Sequence, residues 1–490
     1  MKLRPYQQKV EQEILQAWRE GHKAPLLVLP TGGGKTYTFC SIVEKVVKKH
    51  ICWILVHRHN LAIQTSQSLN DLDIDHGVIG AGFSESNFKK AQVAKVGSIP
   101  SRFDRLTPPK VIIIDEAHHA TAGQWAKITE RYPNCFFLGV TATPERLDGK
   151  MLGKDSGGFF DKLIIGPTMA ELAKMGYLSK PSYFTPTNFT GDSIKIKSNG
   201  DFDAKEAGFA LDKPKILNNV VARYKQICSG QPAIAFCCNV QHAVDTAEAF
   251  NNAGFRAKAL VGKMGFNEQQ KILGQLSISE LDVVTSCEII SEGTDIPDVS
   301  TAILLRPTWS LTLYLQQVGR ALRVAKDKRQ KYIIDMVGNI YRHGHPFLER
   351  EWAIDGARKT PSRRKKEVDN FKIKNCSECF AVFELKDVVD NKCPECGSPI
   401  TSKQRRIDIV DGDLVEVSWD EIEEELKKLR IIDEKEKEKK QKKRDYWRGI
   451  HACKTIEELV ELGKKRGYKS PQFWANKIFS ERIKKRSQMC

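Results

Sequence analysis

Short runs of consecutive apolar residues recur along the first 350 residues, and segments with helical periodicity separate them. The first series comprises LLVL, ICWILV, VIII and CFFLGV, at residues 26–29, 51–56, 111–114 and 135–140. The second series, between about residues 215 and 350, comprises AIAFCC, RAKALV, LDVVTS, TAILLR and YIIDMV. Uninterrupted apolar runs are typical of strands buried on both faces of a parallel sheet. The pattern predicts an α/β protein with two tandem lobes, each a parallel sheet with flanking helices.

Polar and charged segments divide the chain further. Residues 181–212 are polar and contain several Pro and Gly residues, so a linker or loop-rich insert is predicted there. Beyond residue 355 charged residues dominate, and Ser418 with Glu421 has the spacing of a capping box at the start of a solvated helix. We therefore expect a first lobe at 1–180, an insert at 181–212, a second lobe at 213–355, a cysteine-rich segment at 370–402, a charged helix at 418–445 and a basic helical tail at 446–490.

The charge of the chain points to a polyanionic partner. The 490 residues carry a net charge of +17 and have a pI of about 9.2. Residues 441–490 alone hold 14 Lys and Arg against 5 Asp and Glu. Lys and Arg gain free energy by replacing counterions condensed on phosphates. Charge by itself does not distinguish DNA from RNA or from a membrane surface.

Signals for secretion, membrane insertion and disulfide bonding are not evident in the sequence. The amino end, MKLRPYQQ, lacks the apolar core of a signal peptide, and no run approaches the roughly 18 apolar residues of a membrane span. Of the 13 cysteines, four form two CxxC pairs, and others such as Cys52 and Cys237 lie in apolar runs that suit reduced thiols. We expect a cytoplasmic protein with no membrane partner.

Residues 30–36, PTGGGKT, follow the first predicted strand and precede a helical segment. A glycine-rich turn at this place lets backbone amides approach phosphates at a helix amino terminus. Lys35 is then predicted to reach the β- and γ-phosphates, and Thr36 to ligate Mg²⁺. Leu29 stands where the common GxxxxGK[ST] pattern begins with Gly, so the loop is a variant form. The candidate nucleotide-binding residues are Thr31, Gly32, Gly33, Gly34, Lys35 and Thr36.

A second motif, VIIIDEAHH, follows at residues 111–119 and contains two acidic residues. Its strand would deliver Asp115 and Glu116 to the carboxyl edge of the sheet, where open α/β sheets bind ligands. Asp115 is predicted to hold Mg²⁺, and Glu116 to orient or deprotonate the attacking water. Taken alone, an acidic pair at a strand end can equally cap the next helix. The preceding PTGGGKT loop favours the catalytic interpretation.

The order of several motifs resembles that of the superfamily 2 helicases, of the DEAD/DEAH-box-like type. PTGGGKT, DEAH (115–118), TATPER (141–146), EGTDIP (292–297) and QQVGRALR (316–323) are similar to motifs I, II, III, V and VI. RPYQ (4–7) resembles the adenine-reading element upstream of motif I, and HRHNLAIQ (57–64) resembles motif Ia, a nucleic-acid contact. The resemblance covers about residues 1–345.

The resemblance implies two RecA-like lobes that bind ATP and Mg²⁺ in the cleft between them. Arg320 and Arg323 match the motif VI arginines that stabilise charge on the γ-phosphate from across the cleft. The other matched residues are Arg4 and Gln7 for adenine, Gly293 and Asp295 in motif V, Thr141 and Thr143 in the motif that couples hydrolysis to lobe movement, and His118, which links motif II to the other motifs. His119 matches no family role, and a solvated or packed histidine is expected. Gln317 stands where many relatives carry Arg or His.

The cysteines Cys376, Cys379, Cys393 and Cys396 form the pattern C-x₂-C-x₁₃-C-x₂-C. This spacing predicts a tetrahedral four-thiolate Zn²⁺ site, in a zinc ribbon at 370–402. Four protein ligands leave no position for water or substrate, so the site is expected to be structural and not catalytic. Beyond it, Tyr468, Phe473, Trp474 and Phe479 lie among basic residues and could stack on bases or form the core of a small helical module.

A helicase core followed by a zinc ribbon and a basic tail resembles the RadD-type DNA helicases of bacteria and related phage helicases. LRPTWSLTLYLQQVGRALR (305–323) is particularly similar. The resemblance implies an ATP-dependent DNA helicase or translocase in repair, recombination or phage replication. Its expected partners are single-stranded, duplex or branched DNA and replication or repair proteins, near the nucleoid of a bacterial or phage-infected cell. The alternatives are an RNA helicase and an ATP-gated nucleic-acid clamp that does not separate strands.

Overall fold

The chain divides into two compact units, Met1–Ile409 and Val410–Cys490. The structure is a computed structural model that describes residues 2–80, 88–119, 122–145, 151–185, 194–197, 200–287, 299–324, 329–356, 373–375, 381–384, 392–394, 397–398, 453, 455–465, 467, 470–472 and 475–476. None of the helices in these ranges is long and apolar enough to cross a membrane.

The first lobe is built on a sheet of seven parallel strands. Its strands are β1 (Pro25–Val28), β2 (Cys52–Val56), β3 (His76–Ile79), β4 (Ala91–Lys95), β5 (Val111–Asp115), β6 (Phe136–Thr141) and β7 (Lys162–Ile165). They lie in the order β3-β4-β2-β5-β6-β1-β7. The described helices of this lobe are α1 (Pro5–Arg19), α2 (Lys35–Val46), α3 (His59–Asn70), α4 (Ala122–Arg131) and α5 (Met169–Lys174).

The apolar runs of the sequence mark the centre of this sheet. The residues of β1 and β2 are all buried, as are the first four of β5. The peripheral strand β3 alternates between half-buried and buried residues, and for that reason it has no continuous apolar run. Helix α1 covers one face of the sheet with residues three or four apart, among them Tyr6, Val10, Ile14 and Ala17.

The second lobe contains an eight-stranded sheet. Its strands are β8 (Pro181–Phe184), β9 (Ala233–Phe236), β10 (Ala257–Leu260), β11 (Val283–Ser286), β12 (Thr301–Leu304), β13 (Lys331–Asp335), β14 (Ile373–Asn375) and β15 (Ala381–Glu384). The order is β10-β11-β9-β12-β13-β8-β15-β14, parallel from β10 to β8. The described helices are α6 (Ala204–Leu211), α7 (Pro214–Cys228), α8 (Val240–Asn252), α9 (Phe266–Ser277), α10 (Leu311–Ala321) and α11 (Asn339–His343).

The structure corrects the prediction that residues 181–212 are a linker or insert. Strand β8 pairs in parallel with β13 and belongs to the second sheet, and α6 occupies the end of the same segment. The second lobe therefore begins near residue 181. Strand β15 pairs antiparallel with β8 and with β14, so these two strands extend the sheet within the segment predicted to be a zinc ribbon. The helix predicted at 418–445 lies outside the described residues.

The two lobes contact each other beside the loop that follows β1. The Ser179 amide donates to the Leu322 carbonyl (2.8 Å), at the end of α10. After α11 the chain returns to the first lobe, where the Gly153 amide donates to the Ile354 carbonyl (2.7 Å) and the Ser156 amide to Asp355 Oδ1 (2.9 Å). These contacts keep α10 next to the carboxyl edge of the first sheet.

In the second unit the structure describes one helix, α12 (Ile456–Lys465). The Glu458 amide donates to Thr455 Oγ1 (3.2 Å), and the Thr455 amide donates to Glu458 Oε2 (3.3 Å). This reciprocal pair is a capping box. Leu459 and Ala475 form a small buried cluster.

Candidate active site

The PTGGGKT loop connects β1 to α2 and has a backbone that requires glycine. Gly32 has φ of 82°, and Gly34, the N-cap of α2, has φ of 77°. A Cβ added at Gly33 would lie 2.9 Å from the Pro30 carbonyl oxygen, and one at Gly34 would lie 2.4 Å from Gln7 Nε2. The loop is thus a close-packed turn whose amides lead into a helix amino terminus. This geometry fits the phosphates of a nucleotide.

The element RPYQ holds this loop from α1. Tyr6 donates its hydroxyl proton to the Gly33 carbonyl (2.8 Å), and Gln7 Nε2 donates to the Gly34 carbonyl (3.2 Å). Gln7 Oε1 accepts from the Arg4 amide (2.9 Å). Gln7 thus stabilises the PTGGGKT loop through a hydrogen bond, and its recognition of adenine stays a prediction. Tyr6 lies next to Gln7 in the same element, but no role of its own is predicted for it from the sequence.

The Arg4 guanidinium lies over the Tyr177 ring, 4.3 Å from its centroid. The Tyr6 and Tyr177 rings are 5.4 Å apart between centroids. A cation stacked on an aromatic face is held in place without a carboxylate partner. Arg4 therefore packs beside the loop together with the two tyrosines, and its predicted contact with adenine remains untested.

Asp115 ends β5, next to β6, and lies at the same sheet edge as the loop after β1. Burial raises the pKa of Asp115 to about 7, repulsion by Glu116 adds to the rise, and the positive charge of Lys35 opposes it. A buried carboxylate that is costly to ionise alone is well suited to a divalent cation, which would favour the ionised form. Asp115 and the hydroxyl of Thr36 would hold Mg²⁺ in this arrangement. Lys35 Nζ lies 3.5 Å from the Leu29 carbonyl oxygen of the loop.

Glu116 adopts a backbone conformation that is uncommon for residues with a side chain. Its φ is 50°, and its side chain is almost entirely buried. Glu116 Oε2 lies 3.4 Å from Nδ1 of His118, which is itself buried. The turn after β5 thus holds the Glu116 carboxylate in a buried position beside His118, and the catalytic role of the acidic pair stays a prediction.

A chain of hydrogen bonds leads from His118 to the second lobe. Thr141 donates its hydroxyl proton to the Thr143 carbonyl (2.7 Å), so its oxygen accepts from His118 Nδ1 (3.0 Å). The Thr143 hydroxyl is hydrogen-bonded to the Thr312 hydroxyl of α10, and both threonines are buried. Glu116 is therefore connected to the helix that carries motif VI. No motif of the sequence marks Thr312.

Helix α10 lies directly against the phosphate-binding loop. A Cβ added at Gly319 would lie 2.6 Å from Thr31 Cβ, so only glycine permits this approach. Arg320 follows on the same helix and is 8% exposed. Leu178 of the first lobe forms a backbone bridge with Arg323. The segment of the second lobe that carries both arginines thus lies beside the loop. Gln317 is buried on the same helix.

Several predicted site residues lie outside the described ranges. They are Gly293 and Asp295 of motif V, Cys376, Cys379 and Cys396 of the zinc pattern, and Tyr468, Phe473, Trp474 and Phe479 of the tail. The described part of the chain contains no group of three or more His, Cys, Asp and Glu side chains that could hold a metal ion. The zinc site therefore remains a prediction.

Cys393 is the one cysteine of the pattern that the structure describes, and it is buried. The Gly397 amide donates to the Cys393 carbonyl (2.9 Å), and the Cys393 amide donates to the Ser398 carbonyl (2.8 Å). Gly397 has φ of 73°, a conformation that favours glycine. The backbone of Cys393 is thus hydrogen-bonded to those of Gly397 and Ser398.

Family models match both lobes. The model described as "Type III restriction enzyme, res subunit" matches residues 1–146, and "Helicase conserved C-terminal domain" matches residues 212–325. A "51.5 kDa protein" of a Lactococcus phage is 31% identical over 409 residues, which cover 83% of this chain and 84% of that protein. The chain belongs to the superfamily 2 helicases. As a superfamily 2 helicase it is an ATP-hydrolysing enzyme that acts on nucleic acid, and the family uses ATP with Mg²⁺.

Two further similarities define what this helicase resembles. The "DNA 3'-5' translocase XPB2" of Sulfurisphaera tokodaii is 26% identical over 385 residues, covering 69% of this chain and 82% of that protein. A fragment described as an HsdR subunit of a type I restriction enzyme from Vibrio vulnificus YJ016 superposes with a TM-score of 0.54 at 22% identity, over 69% of this chain and 65% of that one. The second similarity supports the α/β fold with two parallel sheets.

Proposed function

We propose that this superfamily 2 helicase is a DNA translocase or helicase in which ATP hydrolysis drives movement along DNA. The observation that carries the proposal is the series of contacts from Glu116, whose Oε2 lies 3.4 Å from His118 Nδ1, through the hydrogen bonds of His118, Thr141 and Thr143 to Thr312 of α10. It gives the hydrolytic carboxylate a physical connection to the second lobe. The name of the XPB2 relative, a DNA translocase, supports DNA as the substrate.

In the proposed reaction water attacks the γ-phosphorus of ATP, and the bond between that phosphorus and the β–γ bridging oxygen breaks. ADP leaves with the bridging oxygen, and phosphate is the second product. Glu116 orients the water and accepts its proton, while Lys35 holds the β- and γ-phosphates. Mg²⁺, when bound, would neutralise charge on the phosphates. Arg320 and Arg323 would stabilise the charge that develops on the γ-phosphate, from the second lobe.

Lys35→Ala and Glu116→Gln test the assignment of this site. Each should abolish ATP hydrolysis, because one removes the phosphate-binding cation and the other removes the proton acceptor. The measurement is phosphate release with and without DNA, with the fold monitored by thermal unfolding. Retained hydrolysis in both variants would show that the site is misassigned.

The nature of the substrate and the motion needs a separate experiment. DNA and RNA oligonucleotides of equal length should be compared as activators of ATP hydrolysis, next to strand displacement on a partial duplex. We expect stronger stimulation by DNA, together with strand displacement or directional movement. Stronger stimulation by RNA would identify an RNA helicase, and DNA-stimulated hydrolysis without movement would identify an ATP-gated clamp. A role in repair, recombination or phage replication, with partner proteins of those pathways, is consistent with the phage relative.

A structural Zn²⁺ site at Cys376, Cys379, Cys393 and Cys396 belongs to the same proposal. The backbone hydrogen bonds that join Cys393 to Gly397 and Ser398, with Gly397 in a left-handed conformation, support it because the chain beside a zinc ligand must fold back around the ion. Cys393→Ser should lower the zinc content measured by elemental analysis and impair DNA binding, while ATP hydrolysis without DNA persists. Unchanged zinc content, or no zinc in the original protein, would contradict the assignment.

A further inference from the structure

His119 is the residue of the DEAHH motif to which the reaction gives no role. It follows β5, and β5 pairs with β2 through Leu55 and Ile114. Because the two strands are parallel neighbours, the residues just beyond their carboxyl ends emerge side by side. His57 follows β2 in the same way that His118 and His119 follow β5. The topology of the sheet thus brings His57 together with His118 and His119, which lie about 60 residues further along the sequence.

The imidazole ring of His119 lies between those of His57 and His118. Its centroid is 4.0 Å from that of His57 and 4.2 Å from that of His118, with interplanar angles of 37° and 42°. Of the two positions expected for His119, solvated or packed, these ring contacts correspond to the packed one. Rings at these distances are in van der Waals contact, so a displacement of one is passed to the next.

His119 is also tied to Glu116 through the backbone. Its amide donates to the Glu116 carbonyl (2.9 Å), in the turn where Glu116 has its left-handed conformation. At the other end of the stack, His118 lies 3.4 Å from Glu116 Oε2. His119 therefore contacts the backbone of Glu116, the proposed proton acceptor, directly, and its side chain through His118.

The opposite end of the stack reaches the segment that resembles motif Ia. His57 is followed by Arg58 and His59, which are exposed at the start of α3. These are the side chains of the first lobe expected to meet the nucleic-acid backbone. One continuous set of contacts therefore runs from the expected nucleic-acid surface through His57, His119 and His118 to Glu116.

We infer that His119 is a positioning residue that transmits nucleic-acid binding at motif Ia to Glu116, through its stacked contacts with His57 and His118. The inference rests on the proposed function, and it assigns the regulation of that same site. Nucleic acid that moves His57 shifts His119 and the turn of Glu116, which sets the carboxylate for the attacking water. The coupling is a free energy between two sites and is measured as stimulation of hydrolysis.

His119→Gln tests the inference, because glutamine fills a similar volume without a ring. We expect hydrolysis without nucleic acid and the KM for ATP to stay within about twofold, while the nucleic-acid-stimulated kcat falls about tenfold. The Kd for an oligonucleotide, from fluorescence anisotropy, should change by less than about threefold. His119→Phe, which restores a ring between the neighbours, should recover the stimulated rate to within about threefold.

His57→Gln and the double variant His57→Gln, His119→Gln complete the test. If the rings act as one chain, the double variant should be no more impaired in stimulated kcat than the worse single variant. His50→Ala, an exposed histidine beyond α2, serves as the control and should match the original protein. Thermal unfolding of every variant checks that the fold is retained.

The outcomes separate this inference from the proposed function. An original protein whose hydrolysis neither DNA nor RNA stimulates would overturn both. A stimulated original protein with an equally stimulated His119→Gln variant would overturn the inference alone, and so would failure of His119→Phe to recover the rate. Loss of unstimulated hydrolysis in a folded His119→Gln variant would also overturn it, because His119 would then act in hydrolysis itself. If His119→Gln does not fold, full stimulation in His119→Leu would overturn the inference, and selective loss of stimulation would support it.

Discussion

The hydrogen bond between Thr143 and Thr312 joins the two lobes at a place where a single oxygen can be removed without changing the shape of the side chain. Both residues are buried, at 0% and 4% exposure. Thr312→Val replaces the hydroxyl by a methyl group of similar size, and the Thr143 hydroxyl is left without this partner. We expect this substitution to destabilise the contact between the lobes and to leave each sheet intact.

The magnitude follows from the cost of an unpaired buried hydroxyl, about 1–3 kcal/mol. If hydrolysis requires the lobes to meet through this hydrogen bond, the arrangement with the lobes in contact becomes roughly 5- to 150-fold less favoured, since 1.36 kcal/mol corresponds to a factor of ten. The double variant Thr143→Val, Thr312→Val replaces both partners with apolar groups of the same shape. Such a replacement is nearly neutral, so the double variant should recover much of the loss.

The assay is the kcat for ATP at saturating DNA, measured with urea unfolding of the same variants. Thr285→Val is the matched control, because the Thr285 hydroxyl donates to the Ala243 carbonyl (2.6 Å) within the second lobe. The control should lower stability without a specific effect on kcat. A Thr312→Val variant with the original kcat would refute the reasoning, as would a double variant whose loss is the sum of the two single losses.

Two further predictions test the packing of α10 and the electrostatics of the second lobe. Gly319→Ala should lower stimulated ATP hydrolysis at least about tenfold, because its Cβ would lie 2.6 Å from Thr31 Cβ and force α10 away from the loop. Gly274→Ala is the control: no atom lies within 4 Å of the added Cβ in its helix, so the rate should stay unchanged. Burial and a hydrogen bond with Asp245 raise the pKa of Asp212 from its ordinary value of 3.8 to about 6. Between these two pH values the folded protein binds more protons than the unfolded chain, so this group makes stability fall as pH rises from about 4 to about 6. Asp212→Asn should remove that fall, which is measured as the urea midpoint of unfolding across this pH range.

The sequence was sufficient to predict the two parallel sheets and the residues at their carboxyl edges. Strands that are buried on both faces leave uninterrupted apolar runs, and the motifs that follow those runs emerge at one edge because the strands are parallel. Strand β8 was missed since its four residues, PSYF, begin with Pro and adjoin a polar segment. Its membership of the second sheet depends on pairing with β13, about 150 residues further along the chain, and no local pattern carries that information.

The connections within the site were harder to predict, because they depend on contacts between distant residues. The Thr143 and Thr312 hydroxyls are 169 residues apart in sequence, and a threonine in the first turn of an amphipathic helix has no local feature that marks it. The same holds for His119, since the second histidine of a DEAHH motif is compatible with a solvated or a packed position. The strand order resolves this ambiguity: with β2 beside β5, the residue after DEAH must lie next to the start of α3. The turn that gives Glu116 its left-handed backbone also places His119 against His57, so the geometry proposed for hydrolysis and the contact with the segment resembling motif Ia arise from the same few residues.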